Sequence, residues 1–196
     1  VKQFTHVQML GVAPVLLMAN PKSGPASLKD LPKAAAAPGY TFGSGGPGSI
    51  GHIVGEMTKA AMSLQMTHIP YKGGAPMLQD MGGGNVDVAF FVVDSRLPGF
   101  VDKGLFKVLA TMGQPGRPEA PFLEKYPSIN ESRALKDFAF DTWTGYFVRK
   151  DTPEPVVAAL NRQLATAMND PEARRKLEEL GGRVPTMMTV AQAQQD

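Results

Sequence analysis

The chain has 196 residues, 43% of them hydrophobic and 19% charged, which is enough apolar material for one large or two modest cores and too much for a disordered chain. Twenty basic and eighteen acidic side chains leave a net charge of +2, and Arg174-Arg175-Lys176 is the only basic run, with acids beside it. This balance gives neither nucleic acid nor a membrane surface an electrostatic claim as the main partner. No apolar run approaches the roughly 18–20 residues that span a bilayer. Cysteine is absent, which excludes disulfides, thiol nucleophiles and cysteine metal sites. His6, His52 and His68 do not fall at metal-ligand spacing, so no metal and no cofactor is expected.

In chain order, Val12–Ala19 is a short apolar run closed by Asn20-Pro21 and predicts a buried strand. Ser27-Leu-Lys-Asp30 has the spacing of a capping box, with Pro32 shortening the helix that follows. Tyr40-Thr-Phe42 predicts a strand, and Gly43-Ser-Gly-Gly-Pro-Gly-Ser49 a glycine turn. Ile50, Ile53, Val54, Met57, Ala60 and Ala61 then recur at threes and fours, as on a helix of about four turns capped by Ser49. Leu64–Ile69 predicts a strand, Pro76–Met81 a short helix, Val86–Val93 a strand, Leu97–Asp102 a helix and Phe106–Met112 a strand. Gln114–Ser132 is proline-rich without periodicity and predicts a long loop; Phe138–Arg149 predicts a strand. A helix starting at Thr152-Pro153-Glu154 places Val156, Leu160, Leu164 and Ala167 on one face, and a second begins at Asp170-Pro171-Glu172 and ends at Leu180-Gly181. Strands alternating with helices predict an α/β fold with a largely parallel sheet.

Residues 43–49 are the sharpest local feature. Strand, glycine turn and capped helix together present backbone N–H groups and the positive end of a helix dipole to an anion. Two or three such charge-assisted bonds, at roughly 1.5–3 kcal/mol each, hold a small carboxylate. The same residues also serve a tight turn that needs glycine for positive φ. Gly43-x-Gly45-x-x-Gly48 matches a dinucleotide fingerprint, but the following strand ends in Ile69-Pro70-Tyr71-Lys72 without the acid that holds a ribose. Pro47-Gly-Ser49-Ile-Gly51 misses a nucleophile elbow by one residue, and His52 is too close in sequence to Ser49 to be a separately delivered base; it reads as a polar contact in the first helical turn. Gly73-Gly74 and Asp94-Ser95 precede two further helices. Turns after the carboxyl ends of parallel strands share one edge, so residues 43–49, 71–75 and 94–95 are expected to converge on a single cleft.

The series Tyr40-Thr-Phe-Gly-Ser-Gly-Gly-Pro-Gly-Ser49, His68-Ile-Pro-Tyr-Lys-Gly-Gly74, Gly83-Gly-Asn-Val-Asp87, Trp143-Thr-Gly-Tyr146, Asp151-Thr-Pro-Glu-Pro-Val156 and Asp170-Pro-Glu172 resembles the substrate-binding proteins of tripartite tricarboxylate transporters, the Bug receptors. The likeness runs in order from about Val12 to the end, with departures at Ala120–Pro127 and Ile129–Ser132. It implies a two-lobed, type II periplasmic-binding-protein fold without catalytic residues, which closes on an organic acid or acidic amino acid and delivers it to membrane transporter subunits from the periplasm. Carried over by position, Ser44, Gly45, Gly46 and Ser49 would hold a ligand carboxylate, with His52, Tyr71, Gly73, Gly74, Asp94 and Ser95 adding contacts. Residues 21–146 are expected to form one complete lobe. Residues 1–20 and 147–196 would supply hinge strands and part of the other lobe. Val1 opens without the basic start or apolar stretch of a leader, and the resemblance leads us to expect an N-terminal segment or another chain covering that partial lobe. Two alternatives stay open at this level: a carboxylate-processing enzyme on the same edge, and a nucleotide-binding domain.

Overall fold

The computed structural model describes residues 3–94, 96–113, 121–136, 138–179, 183–185 and 187–193. Its strands are β1 (Phe4–Ala19), β2 (Thr41–Ser44), β3 (Thr67–Pro70), β4 (Val88–Val92), β5 (Lys107–Thr111) and β6 (Asp141–Arg149). Its helices are α1 (Leu31–Ala34), α2 (Ile50–Ala61), α3 (Gly74–Gly83), α4 (Leu97–Asp102), α5 (Glu154–Asn169), α6 (Pro171–Glu179) and α7 (Val190–Ala193). The expected α/β fold is present, but its sheet is mixed and not largely parallel, because every pairing of β1 is antiparallel. The sheet order is β3-β2-β4-β1-β5, and β6 pairs with the other end of β1.

β2 is parallel to both β3 and β4, as the alternation of strands and helices requires, but β1 runs antiparallel between β4 and β5. Along β1, Val15, Leu17 and Ala19 enter one core with Phe42, Val54, Val88 and Phe90. Leu16 and Met18 enter the opposite core with Met77, Met81, Ala89 and Phe106. A strand covered on both faces needs apolar residues at successive positions, which accounts for the uninterrupted run. α2 lies over the first core through Val54, and α3 and α4 over the second through Met77, Met81 and Leu97.

β1 is 16 residues long, starting well before the run that marks it in the sequence. Its first part, Phe4–Pro14, pairs with β6 through two register shifts. α5 crosses this ribbon, where Asn161 Nδ2 donates to the Val7 carbonyl (2.7 Å) and to the Met188 carbonyl (3.1 Å). The opposite face carries an aromatic group: the His6 ring stacks on Phe147 at 4.7 Å and meets Trp143 at 5.3 Å, while Trp143 and Phe147 are 51% and 45% exposed.

Several local expectations change. Ser27 and Asp30 do not cap a helix; the hydroxyl donates to the Asp30 carboxylate (2.7 Å), and Pro32 leaves a 3-10 turn followed by the four-residue α1. On α5 the covered side is set by Val157 and Met168, with Val156 46% exposed, because Asn161 rather than the apolar stripe is centred on β1. The basic run on α6 is solvated, with Arg175 paired to Glu179 and Lys176 to Glu172. The proline-rich stretch contains a true capping box at Ser128 and Glu131. The expected end of α6 at Leu180-Gly181 lies outside the described residues.

Candidate functional site

The carboxyl ends of β2 and β3 open into two glycine turns that bond to each other. Tyr71 N–H donates to the Ser44 carbonyl (3.1 Å), and Gly73 N–H to the Gly45 carbonyl (3.2 Å). A Cβ on Gly46 would lie 2.9 Å from the Tyr71 carbonyl oxygen, so the turns meet only because that position is glycine. Gly46 (φ +121°) and Gly73 (φ +107°) also hold conformations that side chains oppose. The two turns form one ledge.

α2 rises from this ledge with Ser49 as N-cap; the Ser49 hydroxyl accepts from His52 N–H (3.3 Å). The first N–H groups of a helix have no carbonyl to bond within it. Those of Ile50 and Gly51, and of Gly74 and Ala75 on α3, have no partner among the described residues. Four donors and two helix dipoles therefore gather beside the ledge, which suits a small anion. The register of the parallel strands brings Asp94 to the same edge at the end of β4.

The candidate side chains divide in use. Ser44 is wholly buried; its oxygen accepts from Gly46 N–H (3.1 Å), lies 3.2 Å from the Gly46 carbonyl and 2.7 Å from His68 Nε2. Its hydroxyl is thus consumed in holding the turn, and the backbone is left to face a ligand. A buried serine with that histidine has the spacing of a nucleophile and base, but no substrate carbonyl reaches a residue with no exposed surface. The Tyr71 hydroxyl donates to Asp80 (2.8 Å), tying the ledge to α3. Asp94 is chelated by Arg96, whose backbone N–H and guanidinium both donate to it, so the edge carries an ion pair where an acid alone was expected. The pair is partly exposed and worth at most about 1 kcal/mol. Ser95 lies outside the described residues. Asp87, at the foot of β4, accepts from the Thr41 N–H and hydroxyl (both 2.9 Å) and serves the sheet, not the ledge.

Beneath the ledge three rings stack. Phe42 lies 4.8 Å from His68 at 24°, and His68 lies 4.1 Å from His52 at 15°. Gly48 N–H donates to His52 Nδ1 (3.0 Å), which makes neutral His52 the Nε2–H tautomer. Burial, followed by the neighbouring His52, holds the His68 pKa below the usual histidine range. His68 was absent from the sequence candidates. Only the parallel register, Phe42 opposite His68, brings it here.

Burial and the Asp80 hydrogen bond push the Tyr71 phenol up to about 12. Because the folded value exceeds the ordinary 10, this contribution is complete below about pH 10 and is lost as pH rises towards 12. Tyr71→Phe should lower unfolding free energy by about 1 kcal/mol in urea titrations at neutral pH. Equal stability of the variant would detach the ledge from Asp80.

The arrangement of a mixed sheet, helices on both faces and donors gathered at the strand ends is that of the periplasmic binding proteins. The model of the tripartite tricarboxylate transporter family receptor matches residues 1–195, and the chain belongs to that family. A curated relative, the UPF0065 protein in the tcbD-tcbE intergenic region of Pseudomonas sp. (strain P51), is 30% identical over 92% of this chain and 53% of its own length. Protein BugT of Bordetella pertussis is 27% identical over 83% of the chain and 49% of its own. Among solved structures, Rpa4515 of R. palustris with adipate superimposes with a TM-score of 0.87 at 26% identity, covering 98% of this chain and 63% of that one. MatC of Rhodopseudomonas palustris with bound malate gives 0.86 at 26% identity, over 98% and 65%. The chain spans about half the length of these curated relatives. Among the described residues no helix is long and apolar enough to cross a membrane.

Proposed function

We propose that this chain is the ligand-holding part of an extracytoplasmic receptor that takes a small carboxylate at the 44–49 and 71–75 ledge and presents it to membrane transporter subunits. The observation that carries the reading is the bonded pair of glycine turns with unpaired N–H groups of α2 and α3 beside it. The adipate and malate of the two R. palustris structures support the ligand class. In this reading Ser49, His52, Gly45, Gly46, Gly73 and Gly74 surround the carboxylate. Residues 21–140, with the end of β1, form one lobe; the β1–β6 ribbon, which takes residues 141–146 out of the lobe expected to end at 146, belongs with α5 to α7 to the other. The exposed Trp143 and Phe147 face fits a surface that a further segment or chain covers in the working receptor. No bond is made or broken in the ligand.

β1 is the structural argument for closure, since it serves the central sheet at Val15–Ala19 and the β6 ribbon at Phe4–Pro14. A rotation between the two pairings swings one lobe on the other. Small-angle scattering of the full-length receptor should show a smaller radius of gyration with saturating adipate or malate. Curves that superimpose when calorimetry shows the acid bound would overturn closure, and absence of binding by any small carboxylate would overturn the ligand class.

A further inference from the structure

We propose that the stacked His52–His68 pair is a titratable counter-charge for the ligand's carboxylate, so that the receptor takes up one proton, on His52 Nδ1, as it binds its anion. The proposal rests on the carboxylate reading of the ledge. Neutral His52 accepts Gly48 N–H at Nδ1, which withholds that donor from a ligand although Gly48 lies in the turn itself. An imidazolium has no lone pair to accept with. Once Nδ1 carries a proton, two N–H groups face each other across the same short gap, and the Gly48 bond is lost. Gly48 (φ +76°) is exposed and crowded by nothing within 4 Å of its Cβ position, so its peptide has room to turn out. Protonation therefore adds a positive charge in the first turn of α2 and releases a backbone donor beside it.

The pair holds one proton only. Two imidazoliums stacked at 4.1 Å repel, and His68 is the one kept neutral, held so by burial and by its bond to the buried Ser44. Neutral His68 keeps its bond with the buried Ser44 (2.7 Å), so that end of the stack is undisturbed while His52 takes the proton. Among the described residues, Phe42 and Ser44 from β2 and Glu56 and Lys59 from α2 act on the His68 side of the stack. Glu56 and Lys59 are paired with each other at 3.2 Å and act on the stack with opposite signs, so their fields there largely offset. A bound carboxylate supplies the counter-ion. By reciprocity, whatever the anion does for the proton, the proton does for the anion.

Calorimetry with adipate and malate on the full-length receptor, in buffers of different ionisation enthalpy near about pH 6.5, counts the protons. The expected result is uptake of a substantial fraction of one proton, with affinity about fivefold tighter near pH 6 than near pH 8. His52→Asn keeps an acceptor for Gly48 but cannot titrate; it should bind with no proton taken up and no pH dependence across that range. Nitrogen NMR of the unaltered receptor gives a second readout, in which His52 changes from the Nε2–H tautomer to imidazolium when the acid is added. Binding without proton uptake, or the same pH dependence in His52→Asn, would overturn this proposal and leave the carboxylate reading standing. Failure of either acid to bind at any pH would remove both.

Discussion

Ser49→Asp is expected to leave the fold intact and to weaken carboxylate binding about a hundredfold. Aspartate is as good an N-cap as serine, and its carboxylate accepts the His52 N–H that the Ser49 hydroxyl now accepts. Its charge also favours the helix dipole, so the melting temperature should hold or rise slightly. The ligand meets the opposite effect. A fixed negative charge about 4–5 Å from a bound carboxylate, at an effective dielectric constant near 20, opposes it by about 3–4 kcal/mol, which is two decades or more in affinity. Ser49→Asn, a neutral cap of similar shape, should lose far less, and the difference between the two variants isolates charge from shape. Titration calorimetry with adipate or malate reads both. Equal affinity for Ser49→Asp and the unaltered receptor would remove the anion site from this turn.

Alanine at Gly51 should destabilise the protein by about 2–3 kcal/mol, although replacing glycine by alanine inside a helix ordinarily stabilises by up to about 1 kcal/mol. A Cβ at Gly51 would collide with the carbonyl oxygen of Phe90, which belongs to the central strand β4 and has no freedom to move aside. One turn on, a Cβ at Gly55 would sit 2.8 Å from Cδ2 of Phe42 and 3.1 Å from Cδ2 of Phe90, two rings of the buried core. The pair lets α2 lie directly on the sheet and fixes the height of its first turn above the ledge. Gly51→Ala should therefore lower the melting temperature by about 5–10 °C and also weaken binding, because the Ile50 and Gly51 donors move outward with the helix. Gly99 is the control. It lies in α4 with nothing within 4 Å of its Cβ position, and Gly99→Ala should be neutral or mildly stabilising. A Gly51→Ala variant as stable as Gly99→Ala would mean that α2 does not rest on β4.

The family tie carries through to the fold, but the ligand side of the ledge depends on features with different sequence visibility. Ser49 and α2 were legible because a cap followed by apolar residues at threes and fours is a local pattern, and a helix satisfies its own backbone. The glycines at 46 and 73 were legible as turns, since positive φ is a property of one residue and its neighbours. That the two turns bond to each other was not, because Tyr71 and Ser44 meet only through the parallel register of β2 and β3.

The amino-acid sequence by itself determined the alternating elements, the glycine turns at one end of the strands, and the absence of cysteine chemistry from these 196 residues. Tertiary structure alone decided the rest. The direction of β1 is one case: an apolar run buried on both faces is the same pattern in either sense, and only its pairing with β4 and β5 makes it antiparallel. The length of β1 is another, since Phe4–Leu10 is a strand through β6, 130 or more residues away in the chain. The fate of Ser44 is a third. Its hydroxyl reads as a ligand donor in the turn, yet register sets His68 beside it and burial closes it off, so Ser44 holds the turn instead.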